Sequence, residues 1–210
     1  MSSHAASRRV ARRPSRARIR RRRLAMLAVA LVLGAGLAAL VSGLGPDVAR
    51  ELTLPLHHDD IIRQQAHDKD LDPALIAAVI YEESRFRDQT SHAGARGLMQ
   101  ITPDTADFIA RHSGGYRFKQ SDLATPQINI AYGSYYLRYL IDHYGGSETL
   151  AVAAYNAGLG NVDRWVEKAG GASEFRSAEH IPFPETRAYV ENVMNRRGEY
   201  RDNYADDLGL

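Results

Sequence analysis

Residues 72–86 read DPALIAAVIYEESRF. Asp72 followed by Pro73 joins a side chain that caps helix N-termini to a residue whose fixed φ suits the first helical position. At about 100° per residue, Leu75, Ile76, Val79, Ile80 and Phe86 fall on one apolar face. Glu83 projects within roughly 20° of the centre of that face, and Glu82 lies about 80° away. The spacing predicts a helix over 73–86 with a carboxylate at the end of an apolar stripe. Burial there disfavours the ionised form and raises the pKa, as a general acid working near neutral pH requires. On periodicity alone the alternative stays open that Glu83 turns to solvent or pairs with Arg85 or Arg87.

The same starting device recurs outward from this helix. Thr102-Pro103 and Thr125-Pro126 repeat the cap-and-proline pair, and Gly114-Gly115, Gly145-Gly146 and Gly170-Gly171 follow periodic stretches as stops. Helices are expected over 56–68, 73–86, 103–112, 126–144, 148–156, 161–168 and 185–201. No segment shows sustained period-two alternation, so the body is all-α.

Upstream, Leu24 to Gly45 is a run of 22 residues without a charge. As a helix it would extend roughly 33 Å, enough for a hydrocarbon core of about 30 Å. Residues 1–23 carry ten arginines and no acidic residue. This order predicts an Arg-rich cytoplasmic tail over 1–23, a single N-terminal transmembrane helix over 24–45 and everything after Pro46 outside the cytoplasm. A cleaved signal peptide has the same charge order, with small residues near Ser42 and Gly43, but its apolar core is usually shorter. Topology accounts for the arginines, so no nucleic-acid partner is expected.

The formal net charge of +2 hides this asymmetry. Setting the ten arginines aside leaves 17 basic residues against 25 acidic ones, a body at −8. There is no cysteine, which removes disulfides, thiolate metal sites, a cysteine nucleophile and a lipidated cysteine anchor. The eight histidines include His57-His58 but no His-Glu-x-x-His spacing, and no phosphate loop or dinucleotide fingerprint occurs. No metal and no cofactor are expected.

Glu83-Ser84, then Ala93 to Ile101 (AGARGLMQI) with Pro103, Thr105 and Ala106, then Ala154-Tyr155-Asn156-Ala157-Gly158 with Gly160, then Glu185-Thr186-Arg187-Ala188-Tyr189-Val190 form four ordered blocks. Together they resemble the signature of the soluble-type, goose-lysozyme-like lytic transglycosylases, over about residues 57–197. The resemblance implies a lysozyme-like helical domain with a substrate cleft over 56–200, after a linker at 46–55 and before a tail at 201–210. It implies peptidoglycan glycan strands as substrate and a catalytic domain held outside the bacterial cytoplasmic membrane. Glu83 would be the catalytic acid and then base. Ser84 would help hold the substrate or the acid, Gln100 would reach a sugar, Tyr155 and Asn156 would contact the N-acetylated sugar, and Tyr189 would hydrogen-bond Glu83. Thr102 stands where many relatives have methionine. Since no second carboxylate stands out, the substrate's own N-acetyl group would take the place of one. A water-using muramidase and an idle glycan-binding scaffold are the alternatives.

Overall fold

Helix α3 (Pro73–Ser84) is the axis of the fold, and its burial goes further than the one-faced pattern above. Ala74 through Ile80 are all fully buried, alanines and branched residues alike. The expected amphipathic helix is instead apolar on every side, because a helix enclosed by neighbours has no face to give to water. It begins as expected: the Asp72 side chain accepts from the Ala74 N–H at 2.9 Å. The same carboxylate also takes Arg201 at 2.8 Å and Arg197 from the last long helix, and Arg197 reaches on to Glu148.

The computed structural model describes residues 46–114 and 117–210, together with Met26, Val32 and Gly34. The transmembrane helix expected over 24–45 lies outside the described residues, those three positions excepted. Among the described residues no helix is long and apolar enough to cross a membrane. The chain divides into two units, Met1–Leu52 and Thr53–Leu210. The expected linker at 46–55 carries α1 (Pro46–Thr53), which closes the first unit.

In the second unit α2 (Asp59–Lys69) precedes α3, and α4 (Pro103–Ser113) follows after a loop. A short 3-10 turn at Gln120–Ala124 leads into α5 (Pro126–His143). Next come α6 (Glu148–Ala157), α7 (Leu159–Ala169), the single turn α8 (Ser177–His180), α9 (Pro184–Asn203) and α10 (Ala205–Leu208). Isolated bridges pair Thr90 with Arg96 and Arg96 with Ile101, the sole extended pairings among the described residues. The body is mostly helical.

α9 packs more extensively on α3 than does any other helix, and α6 joins both α5 and α9. Tyr200 donates to the Pro55 carbonyl at 2.6 Å and Tyr204 to the Leu54 carbonyl at 2.7 Å, tying α9 to the start of the unit. Residues 201–210, set apart above as a tail, finish α9 and form α10, whose Leu208 is buried. Caps differ from expectation at one place. Thr102 and Ser147 accept helix N–H groups, from Thr105 and Leu150, whereas the side chain of Thr125 makes no capping bond.

The loop between α3 and α4 is fixed from α5 by Asn129, which is 1% exposed. Its side-chain oxygen accepts from Met99 N–H at 2.8 Å, and its amide nitrogen donates to the carbonyls of Arg96 at 2.9 Å and Leu123 at 3.0 Å. Gly97 makes this approach possible: at φ +77° it sits where an added Cβ would fall 2.6 Å from the Leu123 oxygen and closer still to the Asn129 amide. Asn129→Ala would leave one buried donor and two carbonyls without that partner. We expect it to lower unfolding free energy by about 2–4 kcal/mol, read by urea denaturation; a loss under about 0.5 kcal/mol would show that the loop holds itself.

Candidate active site

Glu83 sits in the last turn of α3, and the chain leaves that turn abruptly. Arg85 and Phe86 both adopt left-handed backbone, at φ 52° and 59°, so the helix stops two residues before the expected 86. Each costs about 1–2 kcal/mol outside glycine. Burial of the Phe86 ring, 5.8 Å from His57 and 6.2 Å from Tyr200, offsets that cost. Glu83 thus lies next to the helix end, half-buried.

The Tyr189 hydroxyl, from α9, donates to Glu83 Oε1 at 2.7 Å. Three effects act on the Glu83 carboxyl, and burial is the largest. It disfavours the charge, the Tyr189 hydrogen bond opposes this, and the neighbouring Glu82 carboxylate adds to the rise. The balance pushes the pKa up to about 7. Glu82 is itself held by Asn192 at 3.3 Å and lies 3.8 Å from Arg196, both on α9. Arg85 turns to the Tyr81 hydroxyl, at 3.0 Å, which leaves the alternative of a Glu83–Arg85 pair without support.

Tyr155, near the end of α6, is held above its ordinary pKa first by burial and next by the charge of Glu83, which places its ring within electrostatic reach of that carboxyl. Its hydroxyl donates to the Met99 carbonyl at 2.9 Å. Tyr189 is raised for the same two reasons, so both phenols remain protonated donors at neutral pH. Asn156 accepts from the Thr186 hydroxyl at 2.8 Å, one turn of α9 before Tyr189.

The fold thus brings Glu83, Tyr155 and Tyr189 together and joins Asn156 to the same helix. Ser84 and Gln100 are differently placed. Ser84, 4% exposed, donates back to the Ile80 carbonyl at 3.1 Å. Gln100, at φ 47°, spends its amide nitrogen on the carbonyls of Gly97 at 2.8 Å and Gln89 at 3.0 Å. Three residues that the sequence reading gave no role complete the frame. They are Asn129, Thr186, and Gln89, whose amide donates to the Glu83 carbonyl oxygen at 3.2 Å. Thr186 lies inside a quoted block, but nothing in the spacing marks Gln89.

A half-buried acid held by a phenol across two helices, beside a loop pinned from a third, is the geometry of the site. Residues 60–177 match the family described as "Transglycosylase SLT domain", and the chain belongs to that family. It is 35% identical over 154 residues to the soluble lytic murein transglycosylase of Salmonella typhimurium, covering 72% of this chain and 24% of that one. Over 100 residues it is 39% identical to the membrane-bound lytic murein transglycosylase F of Pasteurella multocida, covering 44% of this chain and 18% of the other. A solved structure of an inactive glutamate-to-glutamine mutant of lytic transglycosylase Slt from Pseudomonas aeruginosa superposes with a TM-score of 0.66 at 33% identity, covering 73% of this chain and 25% of that one. The chain spans about a quarter of the length of the soluble relative.

The raised pKa has a consequence for stability. Between the ordinary glutamate value near 4.3 and about 7, the folded chain keeps a proton on Glu83 that the unfolded chain has lost. Stability therefore falls as pH rises through that window, and the loss is complete above it. Glu83→Gln removes the penalty. At pH 8 the variant is expected to be more stable than the parent by up to ~3 kcal/mol, the gap closing by pH 4, as measured by denaturant unfolding. A variant no more stable at pH 8 would contradict burial as the dominant effect.

Proposed function

We propose that this chain is a peptidoglycan lytic transglycosylase that cuts the β-1,4 bond between N-acetylmuramic acid and N-acetylglucosamine and leaves 1,6-anhydromuramic ends. The observation that carries the reading is one half-buried carboxyl, Glu83, with a pKa of about 7 and a phenol donor at 2.7 Å. A group so poised is protonated in a useful fraction at neutral pH and can also take the proton back. The names of the relatives support the substrate class, and the Pseudomonas protein is described as inactive after a glutamate-to-glutamine change.

In the first step Glu83 gives its proton to the bridging oxygen as the bond to the muramic C1 breaks, and the acetamido oxygen of the same sugar closes on C1. The N-acetylglucosamine leaves with the proton. In the second step the ionised Glu83 accepts the proton of the muramic 6-hydroxyl, whose oxygen attacks C1 and reopens the acetamido ring. Glu83 ends protonated, ready for another cycle. Tyr189 stabilises the carboxylate between the steps, and Tyr155 and Asn156 contact the N-acetylated sugar. The nucleophiles belong to the substrate, so position and exclusion of water are the main contributions of the protein. Ser84, bonded to its own helix, and Gln100, bonded to its own loop, serve this scheme by shaping the acid's helix end and the cleft loop.

The N-terminal segment fits the same role. With residues 24–45 as an anchor and 1–23 inside, the domain would act on the wall from the outer face of the cytoplasmic membrane, and one relative is named as membrane-bound. Cleavage of this segment as a signal would be revealed by N-terminal sequencing of the mature protein.

Mass spectrometry of fragments released from purified peptidoglycan by the full chain tests the reaction. Anhydromuramic ends, absent with Glu83→Gln and retained with Glu82→Gln, are expected; reducing ends would mean a muramidase, and no release by a folded chain an idle scaffold. Since the acid must start protonated, kcat/KM should fall as pH rises through about 7. Tyr189→Phe, which removes the bond that favours the charged form, should move that limb to higher pH and lower kcat about 10–100-fold; an unmoved limb would mean that Tyr189 does not act on the acid.

A further inference from the structure

Thr186 and Tyr189 are three residues apart in α9 and so share one face of it. Tyr189 reaches the acid, and Thr186, 3% exposed, reaches Asn156 in the last turn of α6. We propose that Thr186 is a positioning residue that fixes the Asn156 amide with its oxygen toward α9 and its nitrogen outward, and so makes the chain prefer a sugar bearing an N-acetyl carbonyl over the N-deacetylated amine. This rests on the reading that Asn156 contacts the N-acetylated sugar, and it names the residue that decides which atom of Asn156 makes the contact.

The hydroxyl proton of Thr186 orients the amide. It goes to Asn156 Oδ1 at 2.8 Å, and the hydroxyl makes no second hydrogen bond among the described residues. With the amide reversed, the nitrogen would donate to the Thr186 oxygen, and the proton of a buried hydroxyl would lose its acceptor. The oxygen of Asn156 is therefore held against α9. Its NH2 group makes no hydrogen bond to the protein among the described residues, and Asn156 is exposed. Two N–H donors are left to a ligand.

Both partners are tied down. Pro184 starts α9, and the Arg187 side chain donates to the carbonyl of the buried Ile181, which fixes the turn that carries Thr186 to the segment before it. Asn156 follows Tyr155, whose hydroxyl holds the Met99 carbonyl. The register of α9 that brings Tyr189 to Glu83 thus also brings Thr186 to Asn156. Outward N–H groups pair with an oxygen such as an acetamido carbonyl. A glucosamine ammonium has three donors and no acceptor, so in that place it would leave the Asn156 donors unpaired beside a cation. Sites built on such a bond reject a ligand that lacks its partner, because the polar group of the protein goes unsatisfied.

Binding separates this proposal from the reaction. The full chain carrying Glu83→Gln is titrated by calorimetry with the tetramer of β-1,4-linked N-acetylglucosamine and with its fully N-deacetylated counterpart. The acetylated tetramer should bind more tightly. Adding Thr186→Val, which keeps the side chain's shape and removes the hydroxyl, should weaken that tetramer about tenfold and leave the amine form within about twofold. Thr186→Ser, which keeps the hydroxyl and removes the methyl, should retain the affinity, a result that a packing role would not give. In the cleaving chain Thr186→Val should raise KM while kcat and the position of its pH limb stay in place. Tetramers bound alike at the outset, a valine variant that binds as before, or a serine variant as weak as the valine one overturns the proposal. If serine retains the affinity and valine loses it while the parent chain releases nothing from peptidoglycan, the cleavage reading fails and the role of Thr186 stands.

Discussion

The hydrogen bond from the Tyr189 hydroxyl to Glu83 Oε1 is the contact on which the rest of the site depends. It joins residues 106 positions apart, so it exists only when α9 lies along α3. That packing is secured at the far end of α3 by Asp72, which caps the helix and receives Arg197 and Arg201 from α9. Beyond Tyr189 in α9, Asn192 and Arg196 hold Glu82, and Tyr200 and Tyr204 clasp the Leu54–Pro55 backbone. A single long helix thus positions the acid's partner, steadies the neighbouring charge and closes the unit.

Two opposed effects meet at Glu83, and their relative size decides its chemistry. A phenol donor at 2.7 Å would by itself hold a glutamate below its usual range. Burial at the end of a helix with no polar face, assisted by Glu82, outweighs it and leaves the carboxyl near 7. The phenol draws the group toward a stronger acid and burial toward a weaker one, and burial is the larger effect. Arg196 lies over the Tyr81 ring at 4.2 Å and 3.8 Å from Glu82, so a guanidinium from α9 stands beside the acid's neighbouring carboxyl.

Much of this was legible in the residues. Each of the seven expected helices exists, with ends within three residues, because proline starts and glycine stops are local signals that tertiary packing rarely overrides. The short elements escaped: the 3-10 turn at Gln120–Ala124 and α8 have too few residues for a period to register. The one-faced reading of α3 fell short because Ala74, Ala77 and Ala78 count little on a hydrophobic face yet are as buried as the isoleucines. At the site, Glu83 and its bond to Tyr189 were read from the motif blocks. The backbone bonds of Ser84 and Gln100, and the clamp by Asn129, depend on left-handed loop residues and on a contact between α5 and a distant loop, which one-dimensional spacing does not encode.

The chemistry at this site requires that the folded chain hold Glu83 as an acid near neutrality. Carbon-13 NMR of the full chain labelled at glutamate side-chain carboxyls, titrated from pH 3 to 9 with Glu83→Gln to identify the signal, measures this directly. One carboxyl should titrate at about 7, and only that signal should be missing from the variant. A Glu83 signal that titrates in the ordinary glutamate range would contradict it.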